Sequence, residues 1–435
     1  MLFYTIDITP RLQYISAFIG KEIDADSFLL TTDIEEFKSY DGPKINYSNS
    51  KISDGEFWLL PYSLLFEKDI RSQAIDCFDF NGQKAFFKTN GDLPFDFLAA
   101  SFYLLSRYEE YLPHAKDIYG RYAHGNSVAF KEGFLSIPQV NVWLEALKKK
   151  LKEKFPLFNI QYSRFNFLPT YDVDEAFSYK HKSWDRTLGA VSKAFLKGAW
   201  SKINERRKVL EEQLQDPFDS YAWMDDLHER YKLKPRYFFL VPEKTGKYDR
   251  NIPPKETALQ GLIKQHADKY EIGVHPSWQS GNDLSLIKKE METIENISKK
   301  KSSISRQHFI RFTLPDTYRH LIQAGISDDY SMGYGSINGF RASITTSFYW
   351  YDLEKEEQTS LLIHPFCFMD ANAFFEQKLT PEQALDEMLS YYKMIKNVHG
   401  QMITIWHNTF LGTDKMFDGW REVYEKFIRI VSSAY

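Results

Sequence analysis

The string Thr170-Tyr171-Asp172-Val173-Asp174 closes an apolar, strand-like run. Side chains two apart on a strand point the same way, so Thr170, Asp172 and Asp174 are expected to share a face, with the carboxylates about 6–7 Å apart along the chain. That spacing lets one carboxylate hold a metal while the other takes a proton from water. A helix cap or an Asx turn accounts for two such aspartates about equally well. Three histidines repeat the strand-end context: His275 after Glu271-Ile272-Gly273-Val274, His308 within Ser305-Arg306-Gln307-His308-Phe309, and His407 after Ile405-Trp406. A lone histidine is usually structural, and His364 is read that way. Three at strand ends beside an Asp-x-Asp favour a metal-dependent hydrolase.

Such residues are far apart in the chain, so a scaffold must gather strand ends at one place. The runs FNFLPTYD, RYFFLVP, YEIGVH, QHFIRF, SLLIHPF and MITIWHN each look like a strand, and helical stretches separate several of them. Strand-then-helix order argues for a mostly parallel sheet or barrel, whose sites form at the carboxyl ends of the strands. One helix is fully signposted before the last run: Thr380 as N-cap, Pro381 at the first position, Gln383 completing a capping box and Gly400 as the stop. Residues 180–215 form a charged helical insertion, expected as a lid or arm over the site. Upstream, PFDFLAASFYLLSRYEEYL predicts a helix apolar on nearly all sides, and VNVWLEALKKKLKEKF an amphipathic helix stopped by Pro156. The chain is therefore divided into an α/β accessory domain over residues 1–160 and a (β/α) barrel over residues 161–435. Gly333 to Gly339 is read as a loop, since no helix follows to hold a phosphate.

With 435 residues, 43% of them apolar, the chain can build large cores. A formal net charge of -4 offers no basic face for a polynucleotide, so a nucleic-acid partner is not expected. Cys77 and Cys367 share no CxxC spacing, so neither a disulfide framework nor a thiolate zinc site is indicated. Asp7 and Arg11 interrupt what a secretion signal would keep apolar, and no membrane span is visible; cytoplasmic residence is the expectation.

TYDVD resembles the first motif of the polysaccharide deacetylases, the carbohydrate esterase family 4 or NodB-homology group, in its Asp-x-Asp variant. EIGVH is similar to their second motif, the arginine-containing segment before PDTYRHLIQAGISDDYSMG to the third, and ITIWH to the fifth. PFDFLAASFYLLSRYEEY and the DxxGR at Asp117 to Arg121 resemble an N-terminal domain that accompanies a subset of such proteins. The resemblance implies a distorted seven-stranded barrel and a hydrolase removing N-acetyl, or O-acetyl, groups from an amino-sugar glycan. It assigns Asp172 as base, His407 as acid, and Arg311, or failing that Arg306, as the arginine orienting the base. Asp174 and His275 become metal ligands, with zinc the default ion. The second histidine of the family's HxxxH pair falls on Gln279, and His308 is taken as its substitute. Asp370 is the candidate for steering His407. Trp406, Arg341, Trp278 and Tyr171 are assigned to an N-acetylated oligosaccharide, with Gly339 to Ala342 and the aromatic run Phe348 to Tyr351 as further groove lining. The competing readings are a barrel that binds glycans without catalysis and another metal-dependent amidase.

Overall fold

The computed structural model describes residues 1–24 and 28–433. Its mixed α/β architecture holds one parallel sheet, one mostly parallel sheet and one short hairpin. In the first, β1 (Leu2–Thr5), β2 (Leu29–Thr31), β3 (Lys44–Tyr47) and β4 (Phe57–Leu59) run parallel in the order β2-β1-β3-β4. The hairpin joins β5 (Phe78–Phe80) to β6 (Gln83–Ala85). Beside them lies the helix Phe97–Leu105, all nine residues of which are buried. Asp96 caps it by accepting from Ala99 N, and also accepts from Tyr47 Oη and Tyr62 N.

That helix is shorter than its apolar run predicts. It stops at Leu105, and Arg107 turns left-handed at φ 54°. The break places Arg107, Glu109 and Glu110 in the interior as ions rather than on helix faces: Arg107 bonds both glutamates, and Arg341 grips Glu110 through Nε at 2.8 Å and Nη2 at 2.5 Å. Arg11 makes a comparable ion pair with Glu356 at 2.5 Å.

The second sheet has nine strands: β7 (Asn166–Val173), β8 (Arg236–Phe239), β9 (Glu271–Val274), β10 (Ile304–Ser305), β11 (Asp328–Asp329), β12 (Phe348–Asp352), β13 (Glu357–Ile363), β14 (Phe368–Met369) and β15 (Gln401–His407). Their order is β12-β13-β11-β10-β9-β8-β7-β15-β14, parallel throughout except where β12 turns back on β13. Seven strands in a ring were expected. Among the described residues no ladder joins β12 to β14, and three of the nine strands are two residues long, too short to leave an apolar run in the sequence. QHFIRF is not a strand either. The strand lies just before it, and His308–Ile310 is a tight turn with Phe309 and Ile310 at φ 59° and 53°.

Gly273 shows why strands β8, β9 and β10 approach so closely: a Cβ there would lie 2.6 Å from the Ile304 carbonyl and 2.8 Å from the Phe238 ring. The helix Pro381–Asn397 forms as its signals predict, with the Thr380–Gln383 capping box intact, and Gly400 leads into β15. Residues 180–215 supply two helices, Trp184–Leu196 and Trp200–Leu210.

Burial opposes the Glu110 carboxylate, but the Arg341 and Arg107 guanidiniums outweigh it and hold its pKa down at about 2. A depressed carboxylate contributes stability that is complete above its ordinary value near 4.5 and lost as pH falls toward about 2. Glu110→Gln is expected to cost about 3–5 kcal/mol at neutral pH by leaving buried arginines underpaired. Its deficit in denaturant unfolding should shrink as pH is lowered through that window. A deficit that stays constant with pH would contradict the ion-pair account.

Candidate metal centre

Five strand ends converge on one cleft of about 600 Å³ lined by Asp172, Asp174, His275, His308 and His407 among others. Asp172 sits on β7 directly beside His407 on β15, the two being register partners. His275 follows β9, while Arg306 and His308 follow β10. Asp370 follows β14. This is the carboxyl edge of the parallel strands, where loops leave room for ligands.

The geometry is decided by where protons point. His275 Nδ1 lies 2.5 Å from the Arg306 carbonyl, which can only accept, so Nδ1 carries the hydrogen and Nε2 faces the cleft. His308 Nδ1 lies 3.0 Å from Asp249 Oδ1 and is fixed the same way. Both Nε2 atoms meet Asp174, His275 at 3.1 Å from Oδ1 and His308 at 3.4 Å from Oδ2. Three ligand atoms thus lie within 4.8 Å of one another. Asp174 Oδ1 is buried with no hydrogen-bond partner. Converging acceptors whose hydrogens point outward repel unless a cation, or an added proton, sits among them. An Asp-His-His set with an open position is the donor set of catalytic zinc sites, and outward Nδ1–H bonds to carbonyl or carboxylate are the usual support for such ligands.

The charges respond accordingly. Burial opposes ionisation of Asp174, yet His308, His275 and His407 hold it well below the usual carboxylate range. Burial likewise disfavours a charged His308, but Asp174 and Asp249 push it up to about 9. For His407 burial is outweighed by Asp370, Asp174 and Asp172, which raise it to about 10. Without a cation, protons fill the role that a cation would take.

Two further groups flank this set. The buried Asp172 accepts from Arg306 Nη1 at 2.8 Å, and its other oxygen, Oδ2, lies 3.8 Å from His275 Nε2. His407 Nδ1 lies 2.6 Å from Asp370 Oδ1, and its backbone N–H donates to Asp370 Oδ2 at 2.7 Å, leaving Nε2 in the cleft. The wholly buried Asp370 therefore steers His407 as expected. Such a set offers three converging acceptors that could hold a cation, a carboxylate oxygen and an imidazole nitrogen around one small volume.

Several expected residues lie elsewhere. Arg311 does not face Asp172: its Nη1 donates to the Trp278 carbonyl and its guanidinium lies 4.5 Å from the Trp278 ring, because the turn at Phe309 and Ile310 carries it away. Arg306 takes that place. Tyr171 alternates with Asp172 onto the opposite face, where its hydroxyl meets His228 Nε2 and Tyr424 Oη. Trp406 alternates with His407 and is buried against Tyr424 and Phe368. Arg341 is committed to Glu110 and the Gly333 carbonyl. The Phe348 to Tyr351 run is the edge strand β12, whose Tyr351 packs on Tyr14 and Phe102. Trp278 stacks on Tyr248 behind the cleft wall formed by Tyr119 and Phe309. Gln279 donates to the Lys244 carbonyl and Asp249 rather than reaching the ligands. His364 bonds Asp328 and Ser347 and stacks on Tyr330, a structural placement.

Asp249, Tyr119 and Arg121 are not among the site residues that the sequence assigns. Asp249 comes from a polar loop with no periodic signal. In the DxxGR segment Arg121 pairs with Asp117 at 2.7 Å, and its Nη1 also donates to the Phe309 carbonyl next to His308. Gly335 makes room for it, since a Cβ there would collide with the guanidinium. The glycine-rich loop and the DxxGR motif are therefore two halves of one contact. Among the described residues, none from 180–215 lines the cleft, and the insertion stands beside it, with Asp414 bordering both.

A family model described as a family of unknown function (DUF7033) matches residues 1–156. No curated protein matches the chain. Among solved structures it is similar to a protein assigned as a polysaccharide deacetylase from Mycobacterium smegmatis, at 14% identity over 63% of this chain and 85% of that one, with a TM-score of 0.40. It is also similar to a polysaccharide deacetylase from Bacillus cereus, at 9% identity over 62% and 88%, TM-score 0.30. A CE4-family pseudoenzyme from Bacillus anthracis aligns at 8% identity over 63% of each chain, TM-score 0.33.

Titration of the metal-free protein with zinc is expected to show one tight site, with protons released to the buffer and a raised thermal midpoint. Asp174→Ala and His308→Ala should each lose that site, and Asp249→Asn should weaken it about 10–100-fold. Undiminished zinc binding by His308→Ala would remove that residue from the ligand set.

Proposed function

We propose that residues 161–435 form a metal-dependent hydrolase that removes N-acetyl groups, or O-acetyl groups, from an amino-sugar glycan, and that residues 1–160 are an accessory domain. The observation that carries this reading is the division of labour in the cleft. Asp174, His275 and His308 turn bare acceptor atoms toward one point. Asp172 and His407 flank it with their other atoms tied down by Arg306 and Asp370.

Asp174, His275 and His308 would hold the ion, zinc by the nature of the donors. When bound, a divalent ion supplies Lewis acidity, which makes water more acidic and an acyl carbonyl more electrophilic. In this reading Asp172 accepts the proton of the attacking water. Arg306 keeps one carboxylate oxygen engaged so that the other stays aimed into the cleft. His407 enters the reaction protonated and passes that proton to the departing amine nitrogen, so that amide and water become acetate and free amine. Asp370 holds the imidazole through Nδ1, which fixes Nε2 as the donor. Tyr119, Phe309 and Phe410 on the cleft wall give flat apolar faces on which a sugar ring can stack. No helix among the described residues is long and apolar enough to cross a membrane. A cytoplasmic location belongs to the same proposal.

Incubation of the zinc-loaded protein with N-acetylglucosamine oligosaccharides is expected to release acetate without new reducing ends. Asp172→Asn should lower kcat by about 10²–10⁴-fold while zinc stoichiometry stays unchanged. New reducing ends without acetate would replace deacetylation with glycosidic cleavage, and full activity in Asp172→Asn would remove the assigned base.

A further inference from the structure

The first of the two helices of residues 180–215 is built inside out. In Trp184–Leu196 no residue is buried. The small side chains Ala190, Val191 and Ala194 line the inner groove together with Ala199 and Ile203 of the neighbouring turn and helix and with Lys193, Lys197 and Lys202. The large apolar ones point outward: Trp184 is 75% exposed, Leu188 55%, Phe195 58%, Leu196 84% and Trp200 61%. Trp184, Leu188 and Phe195 lie at i, i+4 and i+11, which puts them on one stripe of the helix. The Phe195 and Trp200 rings meet edge to face at 5.1 Å, so the stripe continues across the turn onto the second helix. A helix meant to fold onto its own protein has the opposite arrangement, with large apolar groups inward.

The charge of the same segment selects its partner. Residues 180–208 hold nine Lys and Arg against two Asp and Glu, in a chain whose formal net charge is -4. Lys193, Lys197 and Lys202 are exposed and border the inner groove beside Ala190 and Ala194, so the hairpin carries positive charge on the faces that flank and oppose the stripe. Each helix is short, 13 and 11 residues, or about 20 Å and less, so neither can cross a bilayer of about 30 Å. Aromatic and aliphatic groups on one side, a net positive charge on the hairpin as a whole and insufficient length to span describe a segment that lies in the interface of an anionic bilayer. Its base is tied to the protein rather than loose: Arg186 donates to the Arg250 and Asn251 carbonyls, and Tyr179 bonds Glu205. Asp414 borders both the hairpin groove and the cleft, so the hairpin stands next to the cleft mouth.

We propose that this hairpin is a membrane-docking element that seats the protein on an anionic lipid surface through Trp184, Leu188, Phe195, Leu196 and Trp200, with the hairpin's net positive charge supplying the preference for anionic lipid. A second copy of the chain covering the same stripe is the alternative occupant; a cationic hairpin facing its own twin would place like charges together, which disfavours it.

The test is co-sedimentation of the full chain with phosphatidylcholine vesicles made with and without phosphatidylglycerol. The chain is expected to sediment with the phosphatidylglycerol vesicles, to be released by high salt, and to show a blue shift of tryptophan emission on binding. The combined variant Trp184→Ser, Leu188→Ser, Phe195→Ser, Trp200→Ser should partition about tenfold less or weaker still. Lys193→Gln with Lys197→Gln and Lys202→Gln should lose the preference for phosphatidylglycerol. All altered positions are exposed, and an unchanged thermal midpoint and zinc stoichiometry would show that the fold persists. Wild-type chain left in the supernatant, equal sedimentation of the combined variant, or lipid-free self-association that the combined variant abolishes would each overturn the proposal.

Discussion

At the carboxyl edge of the parallel sheet the hydrogens of two imidazoles are spent on an outer layer of acceptors, and what remains for the centre is lone pairs. The Arg306 carbonyl takes the proton of His275 and Asp249 takes that of His308. Asp174 completes the inward set with an oxygen that has no donor. Lone pairs at such separations repel in a low-dielectric interior. The fold tolerates this only with positive charge in the middle, supplied by protons or by a metal. Every other feature of the cleft can be understood as what keeps that arrangement from relaxing.

Arg306 is the joint of the arrangement. Its carbonyl orients His275, its Nη1 anchors Asp172, its Nε donates to the Tyr330 carbonyl, and its backbone N–H donates to the Val274 carbonyl. One residue following a two-residue strand thereby sets the distance between His275 and Asp172. The first 160 residues contribute on the outside: Arg121 holds the Phe309 carbonyl and so braces the turn that presents His308, while Tyr119 adds an aromatic wall. Asp370 plays for His407 the part that Arg306 plays for Asp172.

The sequence carried the centre of the site better than its surroundings. Asp172, Asp174, His275 and His407 were legible because each ends an apolar run, and a strand end is a position that chain geometry repeats in a parallel sheet. His308 was identified as a residue but on a mistaken premise, a strand where the chain makes a left-handed turn. That turn also swings Arg311 outward and leaves Arg306 beside Asp172. Tyr171 and Trp406 were placed at the site although strand alternation, already used for Asp172, turns a neighbour to the opposite face. Arg341 was misplaced because its partner, Glu110, is 231 residues away in the chain. Asp249, Tyr119 and Arg121 come from loops, whose conformations follow from tertiary contacts and leave no periodicity to read. The same limit explains the strand count: β10, β11 and β14 are pairs of residues recruited by their neighbours rather than runs with a propensity of their own.

The most direct measurement of the central claim is X-ray absorption at the zinc edge on the loaded protein, combined with anomalous scattering from a crystal of it. The account predicts an ion with two imidazole nitrogens and a carboxylate oxygen in its first shell, located between Asp174, His275 Nε2 and His308 Nε2. An ion bound away from these three residues, or a first shell lacking two imidazoles, would contradict it.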